Sequence, residues 1–157
     1  MTSTDPIDLS GFTGWFTFTD LASVRVPRDP GVYVIKRPTD DSPQFCAEVP
    51  YRGDPAFLVA DLAALWVPGE RIVYIGKTIY GVKKDGLHRR LRQFRRYGAG
   101  HSARHSGGRR IWQLSDYAQL LVRWRITDDA DVVSTETEMI AAFRAHYGVR
   151  PFANAKA

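Results

Sequence analysis

Two short runs, residues 31–36 (GVYVIK) and 71–76 (RIVYIG), constrain the fold more than any other part of the sequence. Both are rich in valine, isoleucine and tyrosine, and both are apolar on their two alternating faces. This pattern is typical of strands that other elements cover on both sides. A third strand is predicted at residues 120–127, where apolar side chains alternate with arginines. The sequence therefore predicts a small sheet flanked by helices.

Helical periodicity follows in two segments after these runs. Residues 87–97 carry an apolar stripe at helical spacing, and residues 132–147 carry a longer one. A further helix is predicted between the first two strands, with Asp54 as its N-cap and Trp66 near its end. We interpret residues 39–69 as an inserted loop and helix.

The overall composition is typical of one globular domain. The chain has 157 residues, of which 44% are hydrophobic and 25% are charged. We interpret 1–157 as a single domain in which residues 1–29 are an N-terminal extension. No apolar run of about 18 residues and no signal-peptide pattern occurs, so we expect a cytoplasmic protein without a membrane partner. The single Cys46 cannot form an internal disulfide.

Charge is strongly segregated along the chain. Residues 71–115 hold twelve Lys and Arg against one acid, so this segment is +11 while the remainder is −6. Such a concentration of positive charge favours a polyanion as partner, because Lys and Arg side chains that neutralise phosphates release the counterions bound to the polyanion. Nucleic acid is the predicted partner. The candidate binding residues are Lys83, Lys84, Arg89, Arg92, Arg96, Arg104, Arg109 and Arg110.

Two charged residues stand at positions that normally face a core. Arg90 borders the apolar stripe of residues 87–97, so it either needs an anionic partner or extends its head into water. Glu136 lies in the middle of the apolar stripe of residues 132–147. A carboxylate there is costly unless a cation or donor meets it. A bound metal, an arginine and a structural salt bridge with Arg90 all remain open as its partner.

Five motifs in order resemble the GIY-YIG nuclease superfamily. This superfamily includes the N-terminal incision domain of bacterial excision repair and several restriction and homing endonucleases. The resemblance covers residues 30–154 without the insert. The motifs are GVY at 31–33, YIGK at 74–77, Arg90-Leu91, E-x-x-M-I at 136–140 and P-x-x-N at 151–154.

The resemblance implies an α/β domain with a three-stranded antiparallel sheet flanked by helices, and a helical insert between the first two core strands. It also implies phosphodiester hydrolysis with one divalent cation, Mg²⁺ or Mn²⁺. By position, Glu136 would be the metal ligand, and Arg90 would hold the scissile phosphate. The remaining site residues would be Tyr33 and Tyr74 beside the attacking water, one of them in proton abstraction, with Lys77 nearby and Asn154 orienting site groups.

The chain departs from the family pattern at one site position. Many members have His or Tyr four residues after the arginine, where this chain has Phe94, which cannot exchange a proton. One alternative is that the two tyrosines suffice, which requires cations to lower a hydroxyl pKa of about 10, a role open to Lys77, Arg90 and a metal. Alternatively, a histidine from elsewhere in the chain takes the place of the missing His or Tyr, or the nuclease activity is weakened. The candidate histidines are His88, His101 and His105.

These observations favour a metal-dependent endonuclease, with DNA preferred over RNA as substrate. The first alternative is a nucleic-acid-binding module that has lost catalysis, which Phe94 would favour. The second is an interaction domain whose partner docks on the insert helix and the N-terminal aromatic residues. A homodimer is also open, since a lone domain that makes a double-strand break needs two active sites or two visits.

Overall fold

The computed structural model describes residues 6–102 and 108–154, and these form a mixed α/β fold around an open antiparallel sheet. The sheet has four strands in the order β1-β4-β2-β3. Its strands are β1 (Thr13–Thr17), β2 (Gly31–Lys36), β3 (Ile72–Thr78) and β4 (Leu121–Ile126). The α-helices of the described chain are α1 (Val59–Leu65), α2 (Gly86–Gly98) and α3 (Val132–Tyr147). None of these described helices has the length and apolar character needed to span a membrane.

The three strands expected from the sequence are confirmed, but the sheet contains one more. β1 comes from the N-terminal extension and pairs antiparallel with β4, where Phe16 lies opposite Val122. The three-stranded expectation was therefore wrong by one edge strand. The extra strand buries aromatic surface, since the ring of Phe16 stacks on Trp124 at 5.4 Å between centroids.

The central strand β2 is buried along almost its whole length because helices cover both faces of the sheet. Tyr33 and Ile35 face a core that includes Leu87, Leu91 and Phe94 of α2. The alternate β2 residues face a second core, formed mainly with α3. That core includes Val32, Val34, Ile75, Val132, Met139 and Phe143. β2 is apolar on both faces because each face packs against the apolar stripe of one helix.

The insert contains a helix, but it begins later than the sequence predicts. α1 starts at Val59 rather than after Asp54. The amide side chain of buried Gln113 accepts a hydrogen bond from Phe57 N–H at 2.8 Å and donates to Phe57 C=O at 2.9 Å. Asp54 also pairs with Arg109 at 3.5 Å. These tertiary contacts use the backbone groups that an earlier helix start would need.

A buried arginine connects the end of β2 to the insert and to the segment before β4. Arg37 is 4% exposed, and its Nε donates to Asp116 Oδ2 at 3.0 Å. A guanidinium N–H also donates to the carbonyl oxygen of Asp41 at 2.5 Å, and the group lies 5.2 Å from the ring centroid of Trp66. The charge of Arg37 is therefore neutralised within the fold.

Candidate active site

The β2–β3 register places the two motif tyrosines on one face of the sheet. Tyr33 lies opposite Gly76, and Tyr74 is two residues before Gly76 on the same face. A side-chain carbon at position 76 would collide with the ring of Tyr33 and come within 2.7 Å of Tyr74. Glycine is therefore required for the two rings to approach, with 6.0 Å between their centroids.

The two hydroxyl groups are hydrogen-bonded to each other. The bond raises the pKa of Tyr33 and lowers that of Tyr74. Tyr33 is 1% exposed, whereas Tyr74 is only partly buried. Tyr74 is consequently the tyrosine that a substrate or a water molecule can approach.

Both tyrosines keep their protons more strongly than a free tyrosine does. Burial is the main cause that raises the pKa of Tyr33, followed by Tyr74. Burial is also the largest cause of the raised pKa of Tyr74, and the charge of Glu136 is the second. Arg90 lowers both pKa values, as expected from the sequence, but burial outweighs it. Of the cations that could lower these pKa values, Arg90 does so, and Lys77 is not among the groups that shift either one.

Arg90 lies one helical turn before Phe94, whose ring packs against those of Tyr33 and Tyr74, and its charge lowers the pKa of each tyrosine. Its Nε is buried and has no hydrogen-bond partner among residues 6–102 and 108–154. Buried donors are nearly always satisfied in folded proteins. The guanidinium of Arg90 therefore has unused capacity to bind an anionic oxygen beside Tyr74.

Glu136 reaches the same cluster from the other face of the sheet. Its Oε1 accepts from Lys77 Nζ at 3.0 Å, so the salt bridge left open by the sequence is with Lys77 rather than Arg90. The Glu136 side chain remains 16% exposed, and its charge raises the pKa of Tyr33 and of Tyr74. Because β3 is an edge strand, groups from both faces can meet around it.

Asn154 fixes the backbone of the strand that carries these groups. Its Oδ1 accepts from Ile75 N–H at 2.8 Å, and its Nδ2 donates to Ile75 C=O at 2.7 Å. Ile75 stands between Tyr74 and Gly76 on the outer edge of β3. Asn154 thus positions the strand, which agrees with the orienting role that the resemblance implies.

Phe94 forms an apolar wall behind the tyrosines. It is fully buried, with its ring centroid 5.8 Å from that of Tyr33 and 6.1 Å from that of Tyr74. None of the described histidines is among the groups that shift the two tyrosine pKa values. His88 lies on the outer side of α2 and His101 is exposed beyond that helix, while His105 lies outside the described residues.

A divalent cation fits the cluster only together with a phosphate. No group of three His, Cys, Asp or Glu side chains that could hold a metal occurs in the described part of the chain, so Glu136 would be a lone carboxylate ligand. Mg²⁺ is commonly held by one or two carboxylates, several waters and substrate phosphates. Glu136 Oε2 accepts no hydrogen bond from any described residue and is compatible with that arrangement.

Basic residues form a cleft of about 390 Å³ on the outer side of α2. Four of the predicted binding residues line it, namely Lys83, Arg89, Arg92 and Arg96. Arg28 also lines this cleft, although nothing in its local sequence indicated this role. Cations thus gather on one surface next to the helix that carries Arg90.

The other predicted binding residues lie elsewhere. Lys84 is exposed in the turn before α2. Arg109 pairs with Asp54, and the guanidinium of Arg110 lies 4.6 Å from the ring centroid of Phe57, so both contact the insert. Arg104 lies outside the described residues.

Comparisons with known proteins add no assignment. No protein-family model matches the chain, and no curated protein or solved structure does so either. The geometry around Tyr74, Arg90 and Glu136 is therefore the basis of the functional proposal.

Proposed function

We propose that the protein is a metal-dependent endonuclease of the GIY-YIG type that hydrolyses nucleic-acid phosphodiester bonds, with DNA favoured as the substrate. One observation supports this proposal more strongly than the rest of the site geometry does. The buried guanidinium nitrogen Arg90 Nε has no partner among the described residues, and it lies near a tyrosine pair and a half-buried carboxylate at an open sheet edge. A phosphate diester would satisfy the donor and meet the other groups at once.

Arg90 would bind the scissile phosphate. Its planar donors match two phosphate oxygens, and the surrounding apolar residues strengthen the interaction by excluding water. Leu91 and Phe94 of the same helix are fully buried, so the backbone that carries Arg90 is fixed by core packing. The clamp would therefore cost little reorganisation when the substrate arrives.

Tyr74, rather than Tyr33, would contact the attacking water. Its hydroxyl is hydrogen-bonded to that of Tyr33, and Tyr74 is the more exposed residue of the pair. A divalent cation held at Glu136 would neutralise charge on the phosphate oxygens and lower the pKa of nearby hydroxyl groups. Lys77 would hold the Glu136 carboxylate in place from the exposed end of the cluster.

A second function is supported by different features of the same cluster. The raised tyrosine pKa values and the buried Phe94 leave positions 33, 74 and 94 without a side chain that readily takes a proton at neutral pH. These features favour a nucleic-acid-binding module that has lost catalysis. Such a module would bind through the basic cleft along α2.

A cleavage assay separates the two functions. The protein would be incubated with single-stranded, duplex, branched and RNA substrates, with Mg²⁺, with Mn²⁺ or with EDTA. We expect metal-dependent cleavage that Glu136→Gln slows by about 10² to 10³. The control is Glu138→Gln, which changes an exposed carboxylate of the same helix and should cleave normally.

Two results would contradict the endonuclease proposal. Unchanged cleavage by Glu136→Gln would remove the metal-ligand role of this carboxylate. Salt-sensitive binding without cleavage of any substrate would select the binding module instead. Circular dichroism of both variants would establish that their folds are intact.

A further inference from the structure

The connection between β3 and α2 exposes apolar side chains beside the candidate site. Val82 is fully exposed at 100%, and the preceding Ile79 and Tyr80 are 50% and 41% exposed. Single exposed apolar residues are common on protein surfaces, but three within four positions are not. Lys83 and Lys84 directly follow Val82, so cationic side chains adjoin the exposed apolar ones.

The exposed side chains are held in a defined turn. Lys84 N–H donates to Gly81 C=O at 3.2 Å, which leaves Val82 and Lys83 as the two central residues. Tyr80 N–H donates to Asp129 Oδ1 at 2.8 Å and fixes the start of the turn. The turn is thus organised before any ligand binds, which reduces the entropy cost of binding.

The turn lies between the two regions assigned to nucleic acid. Lys83 lines the basic cleft together with Arg89 and Arg92. Lys77 of the candidate site is five residues before Val82, a span of about 18 Å at most even in extended chain. A strand bound along the cleft and reaching the site would therefore contact the turn.

We propose that this turn contacts unstacked bases, so that the preferred substrate has unpaired nucleotides next to the cleaved bond. The inference rests on the proposed function. Base faces are the large apolar surfaces of a nucleic acid, and they are accessible only where stacking is interrupted. Small apolar side chains act as wedges at such steps, and aromatic rings stack on free bases. Val82 would be the wedge, and Tyr80 the stacking ring.

Binding measurements without cleavage test this proposal directly. Fluorescence anisotropy in EDTA would compare a DNA fork, a duplex with two single-stranded arms, with a continuous duplex of equal length. We expect the fork to bind about tenfold more tightly. Tyr80→Ala should weaken fork binding at least about fivefold and Val82→Ser about threefold, with duplex binding unchanged. Val149→Ser is the control, because Val149 is another exposed valine, beyond α3.

The outcomes separate this inference from the function on which it rests. Equal affinity for fork and duplex, in a salt-sensitive complex, would overturn the inference and leave the nucleic-acid function standing. An equal loss of fork and duplex binding in Tyr80→Ala and Val82→Ser would overturn it too. Failure of the wild-type protein to bind any nucleic acid would overturn both proposals. 2-Aminopurine placed at the fork junction should change its fluorescence on binding wild type and change less with Tyr80→Ala.

Discussion

Arg37 and Arg90 both place guanidinium atoms in the interior, yet their surroundings differ completely. Arg37 has a carboxylate at 3.0 Å, a backbone carbonyl acceptor and the ring of Trp66. Arg90 has a buried Nε without an acceptor in the described residues, and its neighbours are two tyrosine hydroxyls. The first arginine is neutralised by the fold, and the second is left able to bind an anion.

The difference suggests separate roles for the two arginines: Arg37 stabilises the fold, and Arg90 is available to bind a ligand. A neutralised buried pair is destabilising to break, because removal of one partner leaves the other charge desolvated. An unsatisfied buried donor costs stability in the free protein and is therefore expected where a ligand supplies the missing acceptor. Substitution of either arginine should separate these two properties.

The largest expected effect is on cleavage, from the change Arg90→Ala. Loss of the phosphate clamp should slow cleavage by about 10² to 10³. Arg90→Lys should also be slow, because a point charge cannot replace paired planar donors. The free energy of unfolding, measured by urea denaturation, should change by less than about 1 kcal/mol, since Arg90 Nε has no acceptor to lose among the described residues. Normal cleavage by Arg90→Ala would show that this arginine does not bind the substrate.

The next effect is on stability, from the change Arg37→Ala. It leaves Asp116 without its cation, so we expect a loss of about 2 to 3 kcal/mol in the free energy of unfolding. Asp116 keeps partial exposure to solvent, which limits the loss. Cleavage per folded molecule should remain at the wild-type level, measured at a temperature where the variant is folded. A folded but inactive Arg37→Ala protein would break the distinction between the two arginines.

The smallest effect is on tyrosine ionisation at alkaline pH. Arg90 lowers the pKa of Tyr33 and of Tyr74, so Arg90→Gln should move their ionisation to still higher pH. Arg37→Gln should not, because Arg37 is not among the groups that shift either pKa. Ultraviolet absorbance titration of tyrosinate in the two variants measures this difference.

The same two tyrosines give stability a defined pH dependence. Their folded-state pKa values lie above the unfolded value of about 10, so the folded protein binds these protons more tightly. Their contribution is complete below pH 10 and is lost as the pH rises through the folded-state values. Tyr33→Phe should reduce this alkaline loss. An equally steep loss in Tyr33→Phe would assign the effect to other groups.

The sequence predicts those helices and strands whose apolar periodicity matches the side chains that are buried in the fold. The stripe of Leu87, Leu91 and Phe94 indicated α2, and all three side chains are buried. β1 was not predicted, because Gly14 weakens its strand pattern. The structure explains this glycine: its φ is +139°, and a side-chain carbon there would lie 2.7 Å from the carbonyl oxygen of Val122.

The sequence indicates which residues belong to the candidate site, but not which of them form hydrogen bonds or ion pairs with each other. The ordered motifs indicated Tyr33, Tyr74, Arg90 and Glu136. The two tyrosine rings lie 6.0 Å apart, and the charges of Arg90 and Glu136 act on the pKa of both. The bond between Lys77 and Glu136 depends on how α3 crosses the edge strand, which no local pattern encodes. The raised tyrosine pKa values depend on burial by distant segments, which the sequence did not reveal and which outweighs the expected lowering by Arg90.

The hydrogen bonds of Asn154 have a consequence for self-association. β3 is an outer strand of the sheet, and a free row of peptide groups there would offer a template for strands of other molecules. By occupying both peptide groups of Ile75, the Asn154 side chain blocks that template at its midpoint. The residue that fixes the backbone of β3 thus also shields part of this edge from pairing with another chain.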